Sequence, residues 1–136
     1  MIRPVVRDPI RLGVPSAPAT FADLPTAQDL RDTLNANRAH CVGMAANMIG
    51  VNKRIIAIAC GGEVLLMLNP AVLAKKGVYQ TTEGCLSLPG QRTTARYREI
   101  TVKFQDTRFV WHTRAFSGFP AQIIQHEIDH CNGVLI

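Results

Sequence analysis

Near the end of the chain, the run His126-Glu127-Ile128-Asp129-His130 sets two imidazoles four residues apart, and on a helix positions i and i+4 stand one above the other on one face. Two imidazoles so stacked hold one metal ion, with Glu127 placed to handle the proton of a bound water. Mere pairing of the histidines with carboxylates is the blander reading; three specified residues at fixed offsets favour the metal. The surroundings supply the helix: it starts after Gly118 with Pro120 in its first turn, and Ile123, Ile124 and Ile128 turn mostly inward. A catalytic metal usually takes three protein ligands and keeps a fourth position open. Only Cys131 to Ile136 follow, none an acid or a histidine, and Cys131 points about 100° round the helix from His130. Any fold of this chain must therefore bring a third ligand from upstream, among Cys41, Cys60, Cys85, His40, His112 and the scattered carboxylates.

Cys85 ranks first. It lies in Glu83-Gly84-Cys85-Leu86-Ser87-Leu88-Pro89-Gly90, where glycine and proline make a stiff, tightly turned loop that fixes side-chain direction and lets backbone N–H groups face a ligand. A structural cysteine more often sits in an apolar run, as Cys60 does. A third segment, Val42 to Gly50, gathers small residues around a single polar side chain, Asn47. It reads either as a packed turn, which its composition favours, or as a cleft wall with one amide donor.

The remaining sequence fits one domain over residues 1–136. A hydrophobic share of 47% with 18% charged residues is that of a globular core. No apolar run approaches the ~20 residues of a membrane helix, and Arg3, Arg7 and Asp8 interrupt any signal-peptide core, so the chain reads as soluble, cytoplasmic and free of membrane contact. The net charge of +5 is dispersed, which argues against specific nucleic-acid binding. The four cysteines lack paired spacing and are expected to be reduced thiols. Pro4, Pro9, Pro15 and Pro18 forbid a long helix at the start and suggest an extended arm. Thr26 with Asp29 resembles a capping box, and Ala27, Leu30 and Leu34 recur at helical spacing to about Ala39. Strands are predicted at 54–59 and 64–68, joined by a Gly61-Gly62 turn and closed by Asn69-Pro70, then at 71–79, 99–105 and 108–116, with Arg92, Arg96 and Arg98 spread along a loop and strand. The class is α+β: antiparallel strands packed around a C-terminal metal-binding helix.

Together, Gly43-Met44-Ala45-Ala46-Asn47, Glu83-Gly84-Cys85-Leu86-Ser87 and Gln125-His126-Glu127-Ile128-Asp129-His130 resemble the three motifs of the peptide deformylase family. The second and third match fully. The first departs from the family's Gly-x-Gly-x-Ala-Ala-x-Gln: Cys41 replaces the first glycine, Met48 occupies the glutamine offset, and Asn47 precedes it. The resemblance implies a metal-dependent hydrolase that removes the N-formyl group from the N-terminal methionine of nascent peptides by metal-hydroxide attack. It implies Cys85, His126 and His130 as metal ligands, Glu127 as general acid/base, and the Leu86 backbone N–H as oxyanion donor, with Asn47 standing in for the missing glutamine amide. Gly43 matches the glycine whose backbone pairs with the peptide, Arg92 the arginine that meets the bound peptide, and Val42 and Ile123 offer an apolar wall to the methionine side chain. Glu83 pairs with Arg96 behind the metal loop or in solvent, and the cysteines other than Cys85 are bystanders. The ion implied is Fe²⁺ in cells, with Zn²⁺ or Ni²⁺ able to replace it. N-formylmethionyl peptides are the implied partners, with transient proximity to the ribosome. Family members commonly continue beyond Gly133-Val134-Leu135, so the end at Ile136 reads as a short form or a cut chain. Two other readings are a deformylase-like hydrolase of another small N-acyl or N-formyl compound and a non-catalytic metal-binding relative.

Overall fold

The computed structural model describes residues 1–136. An extended arm contains one helical turn, α1 (Pro9–Leu12), where Asp8 caps by accepting the Ile10 N–H at 3.0 Å and Pro9 opens the first turn. A 3-10 turn at Phe21–Asp23 leads into α2 (Leu24–Ala36). Ala27, Leu30 and Leu34 form its buried face, as their spacing predicts. The cap differs from expectation: Thr20 and Asp23 make the reciprocal contact, with Asp23 Oδ2 accepting from Thr20 N at 2.8 Å, and the helix stops at Ala36. Asp29 instead binds the arm, accepting from Arg3 Nε at 3.1 Å and from the terminal ammonium at 3.0 Å.

Five strands follow, β1 (Gly43–Ala45), β2 (Ile55–Cys60), β3 (Glu63–Gly84), β4 (Gln91–Gln105) and β5 (Trp111–Ser117), paired antiparallel in sequence order. The β2–β3 hairpin turns at Gly61 and Gly62, both with positive φ (61° and 85°), as a two-residue turn matched to strand twist requires. Asn69-Pro70 does not end a strand as the sequence suggested. The strand runs through it as a bulge: Asn69 adopts φ 52° and its side chain accepts from Ala19 N at 2.7 Å and donates to Gln105 Oε1 at 2.8 Å, replacing lost ladder bonds. Arg92 likewise lies within β4, opposite Glu83.

The sheet is packed on both sides. Ile55 and Ala57 of β2 face α2 and the arm in a cluster with Leu12, Leu30 and Met48, whereas Ile56 and Ile58 face α3 (Gly118–Cys131) with Val102 and Ile124. Strand alternation thus makes β2 buried on both faces, and the helix that carries the histidines lies flat on one of them. The Gln125 amide fixes its height, accepting from Tyr97 N at 2.9 Å and donating to Tyr97 O at 2.8 Å on β4. No helix is long and apolar enough to cross a membrane.

Candidate metal centre

The β3–β4 hairpin closes through the loop from Cys85 to Gly90, and the register Gly84↔Gln91 places this loop over α3. Cys85, His126 and His130 converge there, their donor atoms all within 4.8 Å of one another. The two Nε2 atoms lie 3.1 Å apart, and Cys85 Sγ is 3.3 Å from His130 Nε2. A tetrahedral ion about 2.0–2.1 Å from each imidazole nitrogen separates those nitrogens by roughly 3.3 Å, so the donors are spaced for one such ion. Their chemistry, one cysteine sulfur and two imidazoles, suits a divalent transition metal.

Behind the ligands stands a network of buried charges. Glu83 Oε1 takes His126 Nδ1 at 2.8 Å and Arg96 Nη2 at 2.7 Å, Gln122 Nε2 donates to Glu83 Oε2 at 2.9 Å, and Arg96 reaches on to Asp129 at 2.6 Å. The Glu83–Arg96 pair, open to solvent in one reading of the sequence, is buried and acts through His126: holding Nδ1 turns Nε2 toward His130 Nε2. Burial would raise the Glu83 carboxyl, but His126, Arg96 and Gln122 hold it down to about 2. Burial opposes a charged His126, yet Cys85 and Glu83 carry it up to about 10, while burial and that neighbouring charge push His130 down to about 3. At 3.1 Å the two rings share room for a single cation.

Glu127 faces a cavity of about 660 Å³ in front of the ligands. It is 4% exposed and its Oε1 has no hydrogen-bond partner; burial raises its carboxyl to about 7. A Cβ on Gly43 would lie 2.6 Å from Ile123 Cγ2 and 2.9 Å from Glu127 Oε2, so only glycine leaves this wall its shape. Val42, Gly43, Leu86 and Ile123 line the cavity, and the Leu86 N–H donates to no backbone carbonyl.

Asn47 corrects the sequence reading. The 3-10 turn at Ala46–Ile49 directs its side chain away from the cavity, where Nδ2 donates to His130 O at 2.9 Å; it is a clamp on the end of α3, and the packed-turn reading holds. Met48 is buried beneath Ala45, so the first motif contributes no side-chain amide to the cavity. Arg92 is not in the cavity wall either; its Nη1 is buried without a partner. Cys41 is no bystander, since it lines the cavity and its thiol donates to Gly43 O at 2.9 Å, burial pushing its pKa up to about 11. Cys60 and Cys131 lie outside the wall, and all four thiols are free. Sequence reasoning also passed over Arg7, Gln122 and Asp129, which only the long-range packing of arm, hairpin and helix brings to the site.

The sequence model of polypeptide deformylase matches residues 8–136. The chain belongs to the polypeptide deformylase family. The peptide deformylase of Clostridium beijerinckii is 50% identical over 136 residues, covering all of both chains. Among solved structures, a peptide deformylase from Legionella pneumophila superposes with a TM-score of 0.89 at 36% identity, covering 99% of this chain and 83% of that one. The class I type b peptide deformylase from Acinetobacter baumannii bound to Met-Ala-Ser gives 0.89 at 28% identity, with 99% and 97% covered. The fold is the family's, and the enzyme is a hydrolase that removes the N-formyl group from nascent peptides. The family is metal-dependent, and the Cys85, His126, His130 cluster is a fitting site.

Proposed function

We propose that Cys85, His126 and His130 hold one divalent ion, Fe²⁺ in cells with Zn²⁺ or Ni²⁺ as substitutes, and that Glu127 moves the proton of the reaction. The observation that carries this reading is the buried, unpartnered Glu127 carboxylate facing the cavity into which the three donors converge. An ion in that position supplies Lewis acidity, polarising the formyl carbonyl and acidifying water. Water adds its hydroxyl to the formyl carbon and the C–N bond breaks. Glu127 takes the water's proton on a carboxylate oxygen and delivers it to the departing amine, giving formate and a free amino terminus. A carboxyl raised to about 7 by burial is well matched to both taking and giving a proton near neutrality.

The Leu86 N–H, unused by the backbone, is the donor offered to the developing oxyanion. With Asn47 turned away, no side-chain amide from the first motif assists it. The Gly43 backbone at the sheet edge pairs with the peptide, while Val42 and Ile123 flank the methionine side chain. The Met-Ala-Ser complex of the Acinetobacter baumannii relative supports a peptide in this cavity; Arg92, outside the wall, is left without a peptide contact. Residues 1–136 act as one catalytic unit. Because the substrate is a nascent chain, its place is in the cytoplasm, in transient proximity to ribosomes.

The test is hydrolysis of formyl-Met-Ala-Ser by anaerobically iron-loaded protein, with Glu127→Ala and Cys85→Ser in parallel. Turnover is expected from the wild type alone. Unchanged turnover by Glu127→Ala, or unchanged metal content in Cys85→Ser, would sink the assignments.

A further inference from the structure

Arg7 is the one permanent cation in the wall of the catalytic cavity, which contains no lysine and no other arginine. The arm delivers it between two anchors: Arg3 N and Nε bind Thr33 Oγ1 at 2.9 Å and Asp29 at 3.1 Å, and Val6 N donates to Met48 O at 2.7 Å. Its Nη1 donates to Leu86 O at 2.8 Å. A guanidinium has five N–H donors, and this is the single bond the Arg7 side chain makes. It joins none of the protein's ion pairs. The acids of the same wall do not compete for it: Glu83 is taken by Arg96, His126 and Gln122, and Glu127 lies deep. The cavity is therefore polarised, with a buried acid beside the metal ligands and an exposed, unpaired guanidinium toward solvent.

We infer that Arg7 is a specificity-determining residue that reads a carboxylate carried by the peptide beyond its formylmethionine. This rests on the deformylase reading of the cavity. On this reading the formyl end lies at Glu127 and the residues beyond methionine leave the same cavity past Arg7, whose planar, unpaired guanidinium matches a carboxylate in two-pronged fashion. Its bond to Leu86 O fixes the fork beside the loop that holds Cys85. The carboxylate has two sources, an acidic side chain or the free end of a short peptide, and amidated substrates separate them.

The experiment compares kcat/KM for formyl-Met-Ala-Glu-amide, formyl-Met-Ala-Gln-amide and formyl-Met-Ala-Gln with a free carboxylate, using iron-loaded wild type, Arg7→Gln and Arg7→Lys at low salt. Wild type is expected to favour at least one carboxylate-bearing peptide over the neutral amide by up to about fivefold, the range of solvent-exposed charge pairs. The preference resides in KM, fades with added salt, falls to unity in Arg7→Gln and survives in part in Arg7→Lys. A role confined to bracing the loop predicts a different pattern, an equal loss on all three peptides with the wild-type ratio retained. That pattern, or a wild-type ratio of one, overturns the inference. Absence of turnover on every peptide counts against deformylation itself. In that event isothermal titration of Met-Ala-Glu-amide against Met-Ala-Gln-amide decides the Arg7 assignment by the same ratio.

Discussion

At the residue scale, Glu127 and Glu83 show how burial assigns two carboxylates different work. Glu127 is buried with one oxygen unpartnered and is raised to about 7, whereas Glu83, locked between Arg96 and His126, is held down to about 2. One is suited to the proton transfer proposed for it near neutrality; the other stays an anion. Glu127→Gln keeps the size of the side chain and removes the proton carrier, so kcat should fall about 10²- to 10⁴-fold while metal content, measured by elemental analysis, stays at the wild-type level. Glu83→Gln should act differently. It removes the anion that fixes the His126 tautomer, and metal affinity measured by chelator competition should weaken about 10- to 100-fold, with a lowered Tm because Arg96 loses its buried counter-charge. A Glu83→Gln protein that binds metal as tightly as wild type would show that the carboxylate does not orient His126.

At the element scale, α3 is held where its histidines are useful by side chains from distant segments, and Asn47 is the clearest of them. It is 2% exposed and donates to His130 O at the end of the helix. Asn47→Ala should cost about 1–3 kcal/mol in denaturant unfolding, the price of unpairing a buried polar group, and Asn47→Gln should give no faster turnover, since no amide at this position faces the cavity. β1 sets the opposite wall: Gly43→Ala drives a methyl against Ile123 and Glu127, and a displacement of about 1 Å at the carboxylate should lower kcat about 10²-fold. These cases mark what was legible beforehand. The His126, Glu127, His130 spacing and the Cys85 loop are local patterns, and local periodicity is what a sequence displays directly. Helix α2 and the Gly61-Gly62 turn were legible for the same reason. The destination of the Asn47 amide depends on where the end of α3 comes to rest. The persistence of β3 through Asn69-Pro70 depends on Ala19 and Gln105 offering substitute bonds, and Arg7 reaches Leu86 across most of the chain. None of these partners is near in sequence.

For the whole molecule, the three proposed ligands come from the two sides of the sheet's packing. Cys85, with Leu86 and Leu88, packs on the cluster formed by α2 and the arm, whereas His126 and His130 ride on α3, which is buried against the other face with Ile56, Val102 and Ile124. An ion shared by these ligands joins the hairpin loop to the helix, so its binding free energy adds to the stability of the entire fold. Free metal at 1,000 times its Kd stabilises a folded protein by about 4.1 kcal/mol if the unfolded chain does not bind it. For a chain of this size that corresponds to a Tm rise on the order of 10 °C. Differential scanning calorimetry of chelator-treated protein, before and after titration with Fe²⁺ or Zn²⁺, should show this rise as one cooperative transition, because loop and helix close on a common sheet. In Cys85→Ser the same titration should produce a much smaller shift, since the ion then grips α3 alone. An undiminished shift in that variant would place the ion elsewhere and detach the hairpin loop from the metal centre.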